Sequence, residues 1–145
     1  MARWSKWHEV QIGAKMSVDD FPDGFGIYQV RAVLKPNGDK ALEIGRLGGI
    51  DQSGLLYIGR SGIQSKSPKR TIKNRVNEFL LKRHSGGKTY SAALRSLGGN
   101  KNFLSHVLQV RGMLLPEEKI KSRESQEIEK YVREFAELPP CNSRR

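Results

Sequence analysis

Two short apolar segments, each bounded by glycine and each containing a tyrosine, constrain the fold of this chain most. The first, FGIYQVRAVL at 25–34, alternates and is rich in isoleucine, tyrosine and valine; the second is GLLYIG at 54–59. Both compositions are typical of β-strands. The region 35–54 between them is polar and dotted with glycine, which predicts an insertion with a short hairpin around Ala41–Ile44. The sequence therefore predicts two strands separated by an inserted excursion.

The rest of the chain combines helical and strand patterns. Apolar residues at spacings of three and four predict a helix at 69–83, and the segment HSGGK at 84–88 is expected to end it. A helix, a strand and a final helix are then predicted at 89–97, 102–113 and 117–137. This order predicts an α/β fold with a small, mostly antiparallel three-stranded central sheet flanked by helices. We expect a single domain, 1–145, in which 1–20 form an N-terminal extension.

The charge of the chain predicts a polyanionic partner. Lysine and arginine number 26 against 15 aspartate and glutamate, which gives a net charge of +11. A surface this basic favours nucleic acid, although acidic proteins or simple solubility are alternatives. The single cysteine, Cys141, excludes an internal disulfide and a cysteine-based zinc site. No apolar run is long enough for a membrane span, so we expect a soluble cytoplasmic protein with no membrane contact.

Two charged residues fall on predicted helix faces that are otherwise apolar. Arg75 lies within the apolar stripe of the helix at 69–83, and Glu124 lies in the middle of the stripe of the last helix. A lone buried charge is costly unless it is paired or bound to a metal. The structural alternatives are that Arg75 extends its charged end to solvent and that Glu124 lies near a helix N-terminus, where a carboxylate is favourable.

Taken together, these residues resemble the GIY-YIG nuclease superfamily. The tripeptide GIY at 26–28 precedes YIG at 57–59, and Arg75, Glu124 and Asn142 follow in the order of that family. The resemblance covers residues 21–142. It implies a metal-dependent endonuclease that hydrolyses phosphodiester bonds of DNA with one divalent ion, Mg²⁺ or Mn²⁺. It also places Tyr28 and Tyr57 on adjacent strands, although without the later residues both tyrosines would be read as strand formers.

The resemblance also implies a role for each motif residue. Glu124, or Glu127 if the register is shifted, would bind the metal. Arg75 would hold the phosphate and offset the charge of the transition state. Tyr28, with Tyr57 beside it, would orient or deprotonate the attacking water, and a role as base would need nearby positive charge to lower its pKa.

The remaining candidate residues would contact or frame the substrate. Gly59 would let the backbone approach it, and Asn142 would fix the site from the C-terminal segment. Many family members carry histidine one turn after the arginine, where this chain has Phe79. His84 could replace it, or could instead be a helix-capping or solvent-facing residue. The candidate substrate-binding residues are Gly59, Arg60, Lys66, Lys69, Arg70, Lys73 and His84.

Two other functions are compatible with the sequence. A catalytically inactive module with the same fold could use the positive charge to bind nucleic acid, and the missing histidine favours this alternative. A basic RNA-binding protein of another fold would make both tripeptides coincidental. For the nuclease, the expected partner is duplex DNA, and a palindromic target would require a homodimer.

Overall fold

The computed structural model describes residues 2–17, 20–34, 40–96 and 106–143. The described residues form an α/β fold with a four-stranded antiparallel sheet, a two-stranded hairpin and three helices. In chain order the elements are β1 (His8–Val10), β2 (Gly26–Leu34), β3 (Ile44–Arg46), β4 (Gly49–Asp51), β5 (Leu55–Arg60), α1 (Ile72–Leu80), α2 (Ser85–Ser96), β6 (His106–Leu114) and α3 (Glu117–Phe135).

The central sheet has the strand order β1-β6-β2-β5. The nine-residue β2 pairs along its whole length with β6 and on its other side with β5, so the two glycine-bounded segments of the sequence are neighbours as expected. Tyr28 lies opposite Gly59 on β5 and opposite Gly112 on β6. Its ring therefore has a glycine on both sides.

The sheet has four strands and not the predicted three. The additional strand is β1, which comes from the N-terminal extension and pairs with β6. A strand of three residues carries too little pattern to be found from sequence, because its stability comes from the partner strand. The hairpin β3–β4 also lies later than the predicted Ala41–Ile44, where the structure has only an isolated bridge between Ala41 and Val33.

The helices differ from the prediction mainly at their ends. The first spans only Ile72–Leu80, and the last ends at Phe135, where Ala136 adopts the left-handed conformation typical of a helix end. α2 begins at Ser85, inside the segment that was expected to break the helix. Gly86 and Gly87 thus belong to its first turn. A Cβ at Gly86 would approach Tyr57 to 2.8 Å, and one at Gly87 would overlap the carbonyl of Phe79, so close packing requires both glycines.

The core lies on both faces of the central sheet. On one face, Tyr28, Val30 and neighbouring strand residues pack against the buried stripe of α1. On the other face, Ile58 and its neighbours pack against Ile128 and Tyr131 of α3. α1, which carries Arg75, and α3, which carries Glu124, therefore cover opposite faces of the sheet. No helix in the described part of the chain is long and apolar enough to cross a membrane.

Candidate active site

Tyr28 and Tyr57 lie together on adjacent strands, with ring centroids 5.9 Å apart. The ring of Tyr28 is fully buried, whereas Tyr57 is half-buried. The hydroxyl of Tyr28 is buried and makes no hydrogen bond of good geometry in the described chain, although the hydroxyl of Tyr57 interacts with it. Because a buried polar group without a partner costs free energy, this hydroxyl is a position where an additional group would be stabilising.

Gly59 has a packing role beside these tyrosines. A Cβ at this position would overlap the ring of Tyr28. Glycine is therefore required at position 59 by the neighbouring ring, independently of any approach of substrate to the backbone.

The charges of Arg75 and Glu124 both influence the pKa values of the two tyrosines. Burial raises the pKa of Tyr28 well above its ordinary value, Tyr57 and Glu124 raise it further, and Arg75 opposes them. Burial likewise raises the pKa of Tyr57, with Arg75 lowering it and Glu124 raising it. The charge of one residue from each helix therefore acts at the tyrosine pair. The chain by itself keeps Tyr28 a neutral phenol, so its residues favour orienting a water over deprotonating it.

Arg75 is held in place by an acidic residue on its own helix. Its guanidinium forms a salt bridge with Glu78, one turn further along α1, and Arg70 pairs with the same carboxylate at 3.2 Å. Arg75 is only 23% exposed. Glu78 was not singled out from the sequence, although its position three residues after an arginine on a helix is the available signal.

Glu124 lies on α3 facing the end of β5. Its side chain is 20% exposed, and its carboxylate lies 3.7 Å from the guanidinium of Arg60. Burial raises the pKa of Glu124, while Arg60 and Arg75 lower it. Glu124 is therefore a partly desolvated carboxylate with Arg60 3.7 Å away, and its charge acts on both tyrosines.

Glu127, the alternative candidate, lies in a different place. It pairs with Arg123 at 3.1 Å and lines a cleft of about 560 Å³ together with residues of the N-terminal extension. Of the two glutamates, Glu124 is the one whose charge acts on Tyr28 and Tyr57.

Asn142 fixes the C-terminal segment to the outer edge of β5. Its side-chain oxygen accepts a hydrogen bond from the Ile58 amide, and its side-chain nitrogen donates to the Ile58 carbonyl, both at 2.9 Å. The amide of Cys141 donates to the carbonyl of Leu56 at 2.8 Å. Asn142 thus holds the backbone next to Tyr57 from outside the sheet.

His84 lies beside the tyrosines although it is far from Arg75 in sequence. Its ring stacks on Tyr57 with centroids 5.5 Å apart, and Phe79 lies edge-on to it at the same distance. Its Nδ1 accepts a hydrogen bond from the amide of Gly86 at the start of α2, which is a capping role. Burial lowers the pKa of His84, with Arg75 acting in the same direction. His84 is therefore mainly neutral at pH 7.

The remaining basic candidates are more peripheral. Lys66, Lys69 and Arg70 are exposed, and Lys73 is half-buried. Together they form a basic margin on the segment that leads into α1. Another residue not anticipated from the sequence is Ser61, which is buried and accepts a hydrogen bond from the amide of Gly26 through its hydroxyl at 2.9 Å.

At the tyrosine pair, Glu124 is the carboxylate whose charge acts on both tyrosines, so a divalent ion there would be held chiefly by this one side chain. No group of three or more His, Cys, Asp or Glu side chains in the described ranges is placed to hold a metal. A single carboxylate suits an ion such as Mg²⁺, which keeps most of its ligands as water. Glu124 is partly desolvated and its charge acts on both tyrosines, so it is the residue that would hold such an ion.

In comparisons with known proteins, no family model matches the chain, and neither a curated protein nor a solved structure matches it. The resemblance to the GIY-YIG superfamily thus depends on the residues themselves and on their arrangement.

Proposed function

We propose that this protein is a divalent-metal-dependent endonuclease that hydrolyses phosphodiester bonds of DNA at the tyrosine pair, with a GIY-YIG-like fold and active site. The observation that carries the proposal is the tyrosine pair itself: Tyr28 and Tyr57 lie with ring centroids 5.9 Å apart on adjacent strands, the buried hydroxyl of Tyr28 has no well-formed hydrogen bond in the described chain, and the charges of Arg75 and Glu124 both act on the pair. A fold that needed Tyr28 only for packing would be better served by phenylalanine.

Each residue would act through a group that the chain already positions. The guanidinium of Arg75 would bind the scissile phosphate and offset the charge that develops on it, while Glu78 keeps that guanidinium in place. The hydroxyl of Tyr28 would hydrogen-bond the attacking water and orient it. Tyr57, which is less buried, would line the space that this water occupies. Asn142 would hold β5, the strand that carries Tyr57, in place.

Glu124 would hold Mg²⁺ or Mn²⁺, and the ion would polarise the phosphate and stabilise the leaving oxygen. Because Arg60 lies 3.7 Å from the carboxylate, it would help keep Glu124 ionised before the ion binds. Glu127 is the less suitable residue for this role, because it lines the separate cleft and is not among the charges that act on Tyr28 and Tyr57.

The proposed substrate class, nucleic acid, is based on the positive charge of the chain. A net charge of +11 and the basic margin formed by Lys66, Lys69, Arg70 and Lys73 favour a polyanion, and duplex DNA is the expected form. A homodimer would serve a palindromic site.

One observation favours a second candidate, a nucleic-acid-binding module without catalytic activity. Phe79 is fully buried against Tyr57, with ring centroids 5.4 Å apart, and it occupies the position where many members of the resembled family carry histidine. No proton donor is therefore available at that position.

The test is a cleavage assay on duplex DNA and on RNA of the same sequence, with Mg²⁺ or with EDTA. We expect cleavage of the DNA that requires the metal. Tight, salt-dependent DNA binding without cleavage in Mg²⁺ or Mn²⁺ would support the inactive module, and cleavage of RNA alone would overturn the assigned substrate.

A further inference from the structure

Trp4, Trp7, Arg31 and Arg111 form an alternating stack on the sheet face that α3 covers. The guanidinium of Arg31 lies 4.1 Å from the Trp7 ring centroid, and that of Arg111 lies 4.5 Å from both tryptophan rings. The order of the stack is therefore Arg31–Trp7–Arg111–Trp4, and we call it the Arg–Trp ladder. It joins the N-terminal extension to β2 and β6.

The ladder leaves the positive charge of Arg111 uncompensated. Its Nε donates to the side-chain oxygen of Gln29 at 2.8 Å, and a neutral amide does not cancel a charge. Arg111 forms no salt bridge with any residue in the described ranges, and its two terminal nitrogens donate to none of them. A guanidinium fork of this kind is suited to bidentate binding of phosphate.

The ladder forms one wall of the 560 Å³ cleft, and α3 forms the other. Arg123, Glu127 and Lys130 line the helix side. Glu127 is the acidic group whose charge acts on Arg111, but it is already paired with Arg123 at 3.1 Å. Lys130 is exposed at the cleft. Trp7 separates Arg111 from Arg31, whose Nε and Nη2 donate to the side-chain oxygen of Gln109 at 2.9 and 2.7 Å. Arg111 is therefore the arginine of the ladder whose terminal nitrogens can meet an anion, and an anion beside it would offset its charge.

We propose that this cleft is a second nucleic-acid contact, in which Arg111, with Lys130 on the helix side, binds a backbone phosphate of the DNA outside the step that is cleaved. The cleft is lined by none of Tyr28, Tyr57, Arg75 and Glu124, so it does not belong to the cleavage site. The inference depends on the proposed nucleic-acid partner but not on cleavage. Phosphate contacts of this kind fix the register of a duplex without reading its sequence.

The tryptophans provide a direct readout, since Trp4 and Trp7 are the only two in the chain. A short duplex oligonucleotide is titrated into the full chain in EDTA, and tryptophan fluorescence is recorded. We expect a saturable change in the wild type, shifted to about tenfold higher DNA concentration in Arg111→Gln. Inorganic phosphate, titrated alone, is expected to leave the fluorescence unchanged at the same phosphate concentration.

A second variant tests the role of the cleft without disturbing the ladder. Lys130→Gln removes a cleft charge without touching the stack and should reduce the slope of log affinity against log salt by about one. Arg133→Gln is the matched control, because Arg133 is exposed on the same helix but does not line the cleft; its fluorescence titration should match the wild type. Thermal melting checks that each variant is folded.

Three outcomes would overturn the inference. One is an unchanged tryptophan signal in a wild type that still cleaves DNA, which would leave the proposed function intact. Another is a DNA titration that neither Arg111→Gln nor Lys130→Gln alters, which would make the ladder a structural anchor. The third is a response to inorganic phosphate and none to DNA. Conversely, a ladder signal in a protein that never cleaves would support the inference while overturning the nuclease.

Discussion

Among single residues, Tyr28 is the one whose chemistry is hardest to explain by folding. Its ring belongs to the core with Val30 and Val76, but its buried hydroxyl has no well-formed hydrogen bond in the described part of the chain and interacts with the hydroxyl of Tyr57. A hydroxyl in that state costs stability, on the order of 1–3 kcal/mol. Function accounts for it if the hydroxyl acquires a partner when substrate and water are bound.

Replacing Tyr28 by phenylalanine separates the effect of its hydroxyl on stability from the effect of that hydroxyl on cleavage. Tyr28→Phe keeps the ring and removes the hydroxyl, so the free energy of unfolding should be unchanged or rise by about 1 kcal/mol. Single-turnover cleavage should fall on the order of 10²–10⁴-fold, as for loss of a group that orients or moves a proton. Urea denaturation and a single-turnover assay give the two values.

The matched control for Tyr28→Phe is Tyr131→Phe. The Tyr131 hydroxyl donates to the fully buried carboxylate of Asp51 at 2.7 Å, away from the tyrosine pair. Its loss should lower stability by about 1–3 kcal/mol and leave cleavage unchanged. The reverse pattern, in which Tyr28→Phe is destabilising and fully active, would show that Tyr28 is a packing residue only.

Gly59 can be tested in the same way against another strand glycine. A Cβ at 59 would overlap the Tyr28 ring, whereas one at Gly45 in β3 meets no atom within 4 Å. Gly59→Ala should therefore cost about 1–3 kcal/mol of stability through overpacking, and Gly45→Ala should cost much less. Thermal melts of the two variants provide the comparison. Equal melting temperatures would mean that the ring does not lie against Gly59.

At the level of elements, the outer edge of β5 depends on the C-terminal segment. Asn142 makes two hydrogen bonds to the Ile58 backbone and thereby acts like a short additional strand. Asn142→Ala should reduce the unfolding free energy by about 1–3 kcal/mol, since two hydrogen bonds are lost. Ser143→Ala, at an exposed neighbour, is the control. Urea denaturation with no difference between the two variants would contradict this role.

The elements that could be predicted from the sequence are those whose patterns reflect burial directly. β2 and β5 have strand-forming residues between glycines, and α1 has its buried Ile72, Val76 and Phe79 at helical spacings. β1 and the start of α2 could not be predicted in this way. β1 exists because β6 is available to pair with it, and α2 includes Gly86 because Tyr57 lies against it.

For the whole molecule, the partly buried carboxylate of Glu124 should be visible in the pH dependence of stability. Its pKa is raised in the folded state, chiefly by burial, so ionisation favours the unfolded chain. Stability is thus complete at low pH and decreases as pH rises through the folded-state pKa. Glu124→Gln removes that loss, and the variant should melt a few degrees higher than the wild type at pH 8.

The control for this effect is the same comparison of melting temperatures at low pH. Below the ordinary value of 4.5 the carboxyl is protonated in both states, so the two melting temperatures should converge as the pH falls. A Glu124→Gln protein that melts below the wild type at pH 8 would show that the attraction of Arg60 and Arg75 outweighs the cost of burial.

The assembly of the candidate site could be predicted from the sequence only in part. The two tyrosines, Arg75 and Glu124 were identifiable because charges interrupt apolar stripes and because the motifs follow in order. The proximity of His84 to Tyr57 could not be predicted, since it depends on how the turn after α1 folds back. The Arg–Trp ladder could not be predicted either, because its prediction requires the register of three strands.

The central claim is that Glu124, and not Glu127, completes one site with Tyr28, Tyr57 and Arg75. The most direct test is the single-turnover rate of DNA cleavage in Mg²⁺ for Glu124→Gln and Glu127→Gln, with DNA binding measured in EDTA. We expect Glu124→Gln to bind DNA at least as well as the wild type and to lose cleavage by at least about 10²-fold. Glu127→Gln should cut at close to the wild-type rate. A normal rate in Glu124→Gln with an inactive Glu127→Gln, or normal rates in both, would contradict the account.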